Sequence, residues 1–285
     1  MANKMLEGKV VKGVGGRFKV LCGGKALNCS ARGKLHLEDK ILIGDTVTVA
    51  EIRGEYVIVG ILPRRNKLIR PPVANIDMLV IVVAPLPATD WVLVDKLLIF
   101  AAEYGITPVL CYNKIDLTAA ELDYAGKVYG GIADIVAVSA LTKEGFDALK
   151  ERLSGVVCFA GQSAVGKSSL LNLFGEKQET GDLSRIERGK NTTRHVQLFE
   201  IKEGLMIVDT CGFSLLDLEG IKPEEIMLYY PDFLALPKCR YNMCTHTAEP
   251  GCEVKAAVEA GTIDKGRYDR YLAIYNEATE RRKLQ

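Results

Sequence analysis

Residues Gly161-Gln162-Ser163-Ala164-Val165-Gly166-Lys167-Ser168 keep the spacing Gly-x4-Gly-Lys-Ser, a pattern suited to holding a polyphosphate. The glycines let the backbone turn its N–H groups inward, the lysine neutralises β and γ phosphate charge, and the serine hydroxyl can ligate Mg²⁺. The octet follows the apolar run Val156 to Ala160 and precedes the helical stretch Ser169 to Phe174. A strand, a loop and a helix N-terminus in that order are what phosphate cradling requires. Gly161 through Ser169 are therefore candidate phosphate contacts, with Lys167 the candidate catalytic cation.

Further residues bear on which nucleotide is held. Asn113-Lys114-Ile115-Asp116 follows a predicted strand ending at Tyr112, where a loop at the carboxyl edge of a sheet can face a base. A carboxylate there accepts from guanine N1–H and the 2-amino group, which adenine does not offer. Asn113 can fix the loop or touch the base edge, while the Lys114 stem packs over the ring. Ser139-Ala140 closes another strand and could bring a backbone N–H to the guanine oxygen. Asp209-Thr-Cys-Gly212 follows Leu205 to Val208, so Asp209 can hold Mg²⁺ through water and the Gly212 N–H can meet the γ-phosphate. Thr192 and Thr193 are candidates for the switch threonine, Thr193 preferred. The expectation is GTP with Mg²⁺ on Ser168, Thr193 and Asp209.

A second chemistry lies near the C-terminus. Cys239, Cys244, His246 and Cys252 place three thiolates and one imidazole within 14 residues, enough to close a tetrahedral Zn²⁺ shell. Four protein ligands leave no open position, so the metal is expected to be structural, and a zinc hydrolase is disfavoured. Cys22, Cys29, Cys111 and Cys158 stand in strand-like runs and read as small core residues.

The elements that must position these groups follow from patterning. The chain has 285 residues, 48% hydrophobic and 26% charged, a globular composition with room for about two domains. Its longest apolar stretch, Met78 to Ala88, is broken by Pro85 and Pro87 and falls short of the roughly 20 residues a membrane helix needs. No apolar signal core follows Met1, so a cytoplasmic protein without a membrane partner is expected. Residues 1–70 hold 14 Lys or Arg against 6 Asp or Glu, and the remainder 23 against 30, an asymmetry that suits one module meeting a polyanion. Short β-rich runs over 9–14, 17–22, 46–52 and 56–62 with glycine turns suit a small barrel of about five strands. The oligonucleotide-binding type is expected, an SH3-like barrel being the alternative. The proline-bounded Pro63 to Pro72 carries four cations and reads as a linker able to touch phosphate.

Beyond it, strands over 76–84, 107–112, 135–139 and 156–160 alternate with helices over 90–104, 119–130 and 143–153. That alternation predicts a mainly parallel sheet covered by helices. The predicted fold is thus multidomain α/β: a barrel over 1–68, a phosphate-loop domain over 69–220 and a zinc module with helices over 221–285. The base-reading loop at 113 precedes the phosphate loop at 161, the reverse of the common order. A circular permutation of the same sheet accounts for this, and it leaves the switch region leading straight into the C-terminal module.

In these motifs and their order the chain resembles the circularly permuted, ribosome small subunit-dependent GTPase A family (RsgA, also called YjeQ). The resemblance runs through Asn113 to Asp116, Gly161 to Ser168, Thr192-Thr193-Arg194-His195, Asp209 to Phe213 and the cysteine module, with Arg267-Tyr268 to Tyr271 beyond it. It implies slow GTP hydrolysis stimulated by the small ribosomal subunit late in that subunit's assembly. It further implies rRNA and GTP/GDP as partners, one structural Zn²⁺, and, with no dimerisation heptad in the chain, a monomer. Three positions depart from the family. Asn191 stands where the family commonly has a histidine that is a candidate for catalysis. Ala164 replaces a usual glycine, at a cost of on the order of 1 kcal/mol if φ is positive there. Cys211 replaces a usual proline. Phe213, where many GTPases carry a water-orienting glutamine, cannot activate water. A GTP-gated RNA-binding checkpoint with little or no hydrolysis is therefore the alternative.

Overall fold

Glycine pairs set the first hairpins. Gly15-Gly16 and Gly23-Gly24 all adopt positive φ and reverse the chain between β1 (Met5–Val14), β2 (Arg17–Cys22) and β3 (Lys25–Ala31), each antiparallel to the next. Arg53-Gly54, also at positive φ, joins β4 (Thr46–Ile52) to β5 (Glu55–Ile61). Because β5 pairs in parallel with β3 while β4 pairs antiparallel with β1, the five strands close in the order β1-β2-β3-β5-β4. This is the oligonucleotide-binding type of barrel and not the SH3-like alternative. Val10, Val20, Val47, Val49 and Ile58 fill it with no solvent exposure. The strand β3 was absent from the runs picked out by periodicity, since Lys-Ala-Leu-Asn-Cys-Ser-Ala alternates only weakly.

The molecule is a computed structural model that describes residues 5–31, 40–69, 71–175, 196–209, 218 and 220–284. Beyond the barrel come β6 (Met78–Val83), α1 (Trp91–Glu103), β7 (Thr107–Tyr112), α2 (Leu122–Tyr129), β8 (Asp134–Ala137) and α3 (Phe146–Arg152). Next are β9 (Gly155–Ala160), α4 (Lys167–Gly175), β10 (Leu198–Lys202) and β11 (Leu205–Val208). A 3₁₀ helix (Pro223–Tyr229), α5 (Pro231–Leu234), α6 (Glu253–Glu259) and α7 (Lys265–Leu284) complete the order. The alternation expected from the sequence is present. Three of the expected strands, 17–22, 46–52 and 107–112, match to the residue, while the helices expected over 119–130 and 143–153 shorten to 122–129 and 146–152 because their ends are turns. None of the described helices is long and apolar enough to cross a membrane.

The chain divides into two compact units. The first contains 1–79, 150–159 and 168–213: the barrel, then β9 parallel to β11 and β11 antiparallel to β10. Its proline-bounded segment is built into the unit rather than left as a bare spacer. Arg64 forks onto the fully buried Asp45 at 2.6 and 2.9 Å, and Arg65 reaches Asp77 at 2.6 Å, so two of the four cations expected to touch phosphate are paired with carboxylates. The second unit contains 80–149, 160–167 and 214–285. There β7 lies between β6 and β8, with β7 and β8 parallel. Strand residues Val80, Ile81, Val82, Val109 and Cys111 are wholly buried, as continuous apolar strands covered on both faces should be.

Within the first unit, Asp77 fastens the start of β9. Its Oδ2 accepts the Val156 N–H at 2.8 Å, and it fills the space beside Gly155, whose φ is +68. Substituting Asp77→Ala leaves the Val156 donor and the Arg65 guanidinium without that carboxylate, a loss of about 1–3 kcal/mol. A lower urea midpoint at unchanged slope is the expected result, and an unchanged midpoint would show that the cap contributes nothing.

Candidate nucleotide and metal site

The phosphate loop is shaped by two backbone requirements. Gly161 sits at φ +131 against the Val82 carbonyl and Gly166 at φ +100 against the Asn113 carboxamide, and a Cβ at either place would collide with those groups. Lys167, the first residue of α4, folds its Nζ back over the loop to the Gly161 and Gln162 carbonyls at 2.8 and 2.6 Å. The ammonium is thereby held where loop N–H groups and cation face a common anion. Ala164 adopts φ +65, the left-handed conformation that disfavours a Cβ. The departure noted in the sequence therefore falls at a strained position.

The predicted base-reading loop lies in the same unit and is stitched to the phosphate loop. Asn113 is 1% exposed; its Nδ2 donates to the Val165 carbonyl at 2.8 Å and its Oδ1 accepts the Ala140 N–H at 3.0 Å. Of the two roles open to Asn113, the structure shows the loop-fixing one. The Ala140 N–H is directed to Asn113. Lys114, at φ +63, spans to the Leu86 and Ala164 carbonyls at 2.6 and 2.8 Å, so its stem is drawn across the opening. Buried Ser139 donates its hydroxyl to Asp116 Oδ1 and accepts the Thr142 N–H at 3.0 Å. Ser139 thus orients the carboxylate expected to read the base. Gln162 Oε1 accepts the N–H of Asp90, the N-cap of α1, at 3.2 Å.

Ser168 and Asp209 belong to the first unit. Ser168 lies in the first turn of α4, and Asp209 directly follows β11, its N–H extending the ladder to the Gln197 carbonyl at 2.9 Å. Burial pushes the Asp209 carboxyl above its ordinary value. A hydroxyl and a carboxylate are the hard oxygen donors that suit Mg²⁺, and a dication there would reverse that push. Asn191, Thr192, Thr193, Arg194, His195, Cys211, Gly212 and Phe213 lie outside the described residues.

The four expected zinc ligands converge. Their donor atoms all lie within 4.8 Å of one another. The edges from His246 Nδ1 to the Cys239, Cys244 and Cys252 sulfurs are 3.6, 3.5 and 3.3 Å, and the Cys239–Cys252 edge is 4.0 Å. A tetrahedron with Zn–S of about 2.3 Å and Zn–N of about 2.0 Å has edges of roughly 3.5–3.8 Å, so the site fits one closed zinc ion. Burial pushes the Cys244 thiol up to about 12, and a bound dication is what would hold it as thiolate. The Glu253 N–H donates to Cys239 Sγ at 3.3 Å. Burial works to raise the Glu249 carboxyl, but donors from Thr245 and Thr247 outweigh it and bring it to about 2. Glu249 so pins the ligand loop from the side away from the sulfurs.

One feature of the site region went unseen in the sequence. Asp95, fully buried in α1, meets both Arg267 and Arg270 of α7 at 2.8 Å. Its signal is a lone acid inside Trp-Val-Leu-Val-Asp-Lys-Leu-Leu, where an apolar face would be expected to continue.

A family model described as RsgA GTPase matches residues 61–219. A protein of Ruminiclostridium cellulolyticum named small ribosomal subunit biogenesis GTPase RsgA is 40% identical over 284 residues, 95% of this chain and 93% of its own. One of Geobacillus thermodenitrificans with the same name is 40% identical over 295 residues, covering 98% and 99%. Among solved structures, YjeQ from Thermotoga maritima matches with a TM-score of 0.86 at 34% identity, covering 97% of this chain and 99% of that one. YloQ, described as a circularly permuted GTPase, matches at 0.81 and 32% identity, covering 98% and 96%.

Two outcomes follow from the geometry. Ala164→Gly removes the strain of a left-handed alanine while adding unfolded-chain entropy, for a net gain of up to about 1 kcal/mol. Thermal unfolding checks it, and a fall in stability would show that alanine is relaxed there. The purified protein should carry one zinc per chain by elemental analysis. Cys252→Ser should lose it and expose the segment 236–262 to protease, whereas full zinc in that variant would remove Cys252 from the ligand set.

Proposed function

The chain belongs to the RsgA GTPase family, and on that premise we propose that it is a GTP hydrolase acting in small ribosomal subunit biogenesis, its turnover stimulated by the subunit. The observation that carries this reading is the Asn113 bridge, because one side chain joins the loop suited to guanine to the loop suited to phosphates. Guanine is selected by Asp116, which Ser139 orients and which accepts from N1–H and the 2-amino group. The Lys114 stem covers one face of the base. Loop N–H groups from Gly161 to Ser169 take the α and β phosphates, and Lys167 stabilises charge on the β and γ oxygens as the terminal bond breaks. Mg²⁺ supplies charge neutralisation between those phosphates when bound, and Ser168, Thr193 and Asp209 are the residues that would hold it. The Gly212 N–H would meet the γ-phosphate, and Asn191 would orient water without taking its proton.

The barrel and the C-terminal module are the parts that would meet small-subunit rRNA, largely through phosphate contacts. Lys12, Arg17 and Lys19 stand with Phe18 and Tyr56 around a barrel groove of about 870 Å³, a composition suited to backbone contact with some base stacking. A monomeric, cytosolic protein with boundaries near 68 and 220 fits this division of labour. Zinc holds the C-terminal fold and takes no part in hydrolysis. With no glutamine after Asp209-Thr-Cys-Gly, unassisted hydrolysis is slow.

Steady-state phosphate release with and without purified small subunits, with ATP as control, tests the reading. Stimulation of tenfold or more confined to GTP is expected, and equal rates with and without subunits would overturn it. Asp116→Asn should weaken GTP at least about 100-fold while improving binding of xanthosine triphosphate, because the amide now donates where the carboxylate accepted. Unchanged GTP affinity by fluorescence titration would move base recognition elsewhere.

A further inference from the structure

The helix α1 has two faces engaged with different parts of the second unit. On one, Leu93, Val94 and Leu97 pack against Gly161 and Gln162 around a void of only about 10 Å³, and the Asp90 N–H reaches Gln162 Oε1 at 3.2 Å. The opening of the phosphate loop thus rests on the first turns of α1. On the other face Asp95, with no exposure, accepts from Arg267 Nη1 at 2.8 Å, Arg270 Nε at 2.8 Å and the Tyr129 hydroxyl at 2.7 Å.

Both arginines stand on α7 and are fixed by further partners. Arg267 forks onto Asp232 at 2.9 and 3.1 Å and lies 4.4 Å over the Tyr230 ring. Arg270 donates to the hydroxyls of Tyr129 and Tyr124, each at 2.9 Å. Farther along, Lys96 of α1 pairs with Glu277 of α7 at 2.6 Å. At its other side α7 grips the zinc loop: the Tyr268 hydroxyl donates to the carbonyl of the ligand His246 at 2.7 Å, and the Tyr271 hydroxyl to that of Thr245.

We propose that Asp95 is a positioning residue that couples the zinc module to the phosphate loop, so that nucleotide binding tightens α7 and loosening of α7 weakens nucleotide binding. The proposal rests on the nucleotide reading above and adds a regulatory route to it. Buried ion pairs are seldom retained for stability alone, since apolar packing of equal volume often does as well. One carboxylate holding a guanidinium at each of its two oxygens has instead one well-defined geometry, which is what a rigid link between two helices requires. Ordering Gln162 around bound phosphates restrains α1 through Asp90, and Asp95 transmits that restraint to both arginines. Such coupling needs no large movement, only shared loss of freedom, and it is reciprocal. A partner that docks on the zinc module would thereby change affinity at the phosphate loop.

The test is hydrogen exchange by mass spectrometry on the full-length, zinc-loaded protein with and without saturating GDP, alongside a fluorescence titration of GDP affinity. In the unmodified protein GDP is expected to slow exchange across 265–284 at least threefold. Asp95→Asn, with zinc still at one per chain, should abolish that response and weaken GDP five- to tenfold. Gln162→Ala, which cuts the route at its other end, should leave α7 docked but insensitive to saturating GDP. Arg270→Lys keeps the charge and loses the three-way donation to Asp95, Tyr124 and Tyr129, so a partial response is expected there, and it substitutes for Asp95→Asn if that variant does not fold. GDP bound with no change over 265–284 in the unmodified protein overturns the coupling, as does a full response in Asp95→Asn. Failure of the unmodified protein to bind GDP overturns the nucleotide reading itself and the coupling with it.

Discussion

A loop that binds polyphosphate must aim several backbone N–H groups at one point while presenting no side chain there, and the rest of the second unit is arranged around meeting that constraint. Such a loop has few internal hydrogen bonds of its own, so it has to be held from outside. The Asn113 carboxamide does this with both of its ends, donating to Val165 and accepting from Ala140. It occupies the space that a side chain at Gly166 would need. Lys114 adds a second fastening at Ala164. The spacing between the 113–116 loop and the 161–168 loop is therefore set by two adjacent residues on one strand end.

The same economy explains why the fold survives permutation. The base loop leaves β7, the phosphate loop leaves β9, and they meet through side chains without any need for a particular chain order between them. What order does change is the neighbour of the switch region. In sequence, Asp209 is followed by the 3₁₀ helix and then by the zinc ligands. Zinc suits that place because it supplies folding free energy to a segment with little apolar core.

Much of this was legible in the residues. Gly-x4-Gly-Lys-Ser between a strand and a helix, and three cysteines with a histidine at tetrahedral spacing, are local patterns whose chemistry fixes the backbone around them. Barrel strands followed from alternation and glycine turns, except β3, and in the other sheet β10 is the comparable case: Lys25–Ala31 and Leu198–Lys202 are held by their neighbours more than by their own pattern. The Ala140 N–H is directed to Asn113, a partner 27 residues away that no local pattern reveals. Asp95 was missed for the same reason in stronger form, since its partners Arg267 and Arg270 lie 172 and 175 residues away.

Long-range charge pairing of this kind also says something about what the C-terminal helix is for. With Lys-Gly-Arg-Tyr-Asp-Arg-Tyr at its start, α7 is polar over much of its length, and a helix of that composition docks poorly by apolar burial alone. It is held instead by Asp95 at one point and by ring packing of Tyr230, Phe233 and Tyr271 at another. A carboxylate between two guanidiniums resists separation, because removing one partner leaves an uncompensated buried charge at a cost of about 3–5 kcal/mol. The tyrosine cluster adds a second hold, the Tyr268 and Tyr271 hydroxyls donating to the His246 and Thr245 carbonyls. The helix is thus pinned to α1 through Asp95 and to the zinc ligand loop through Tyr268 and Tyr271.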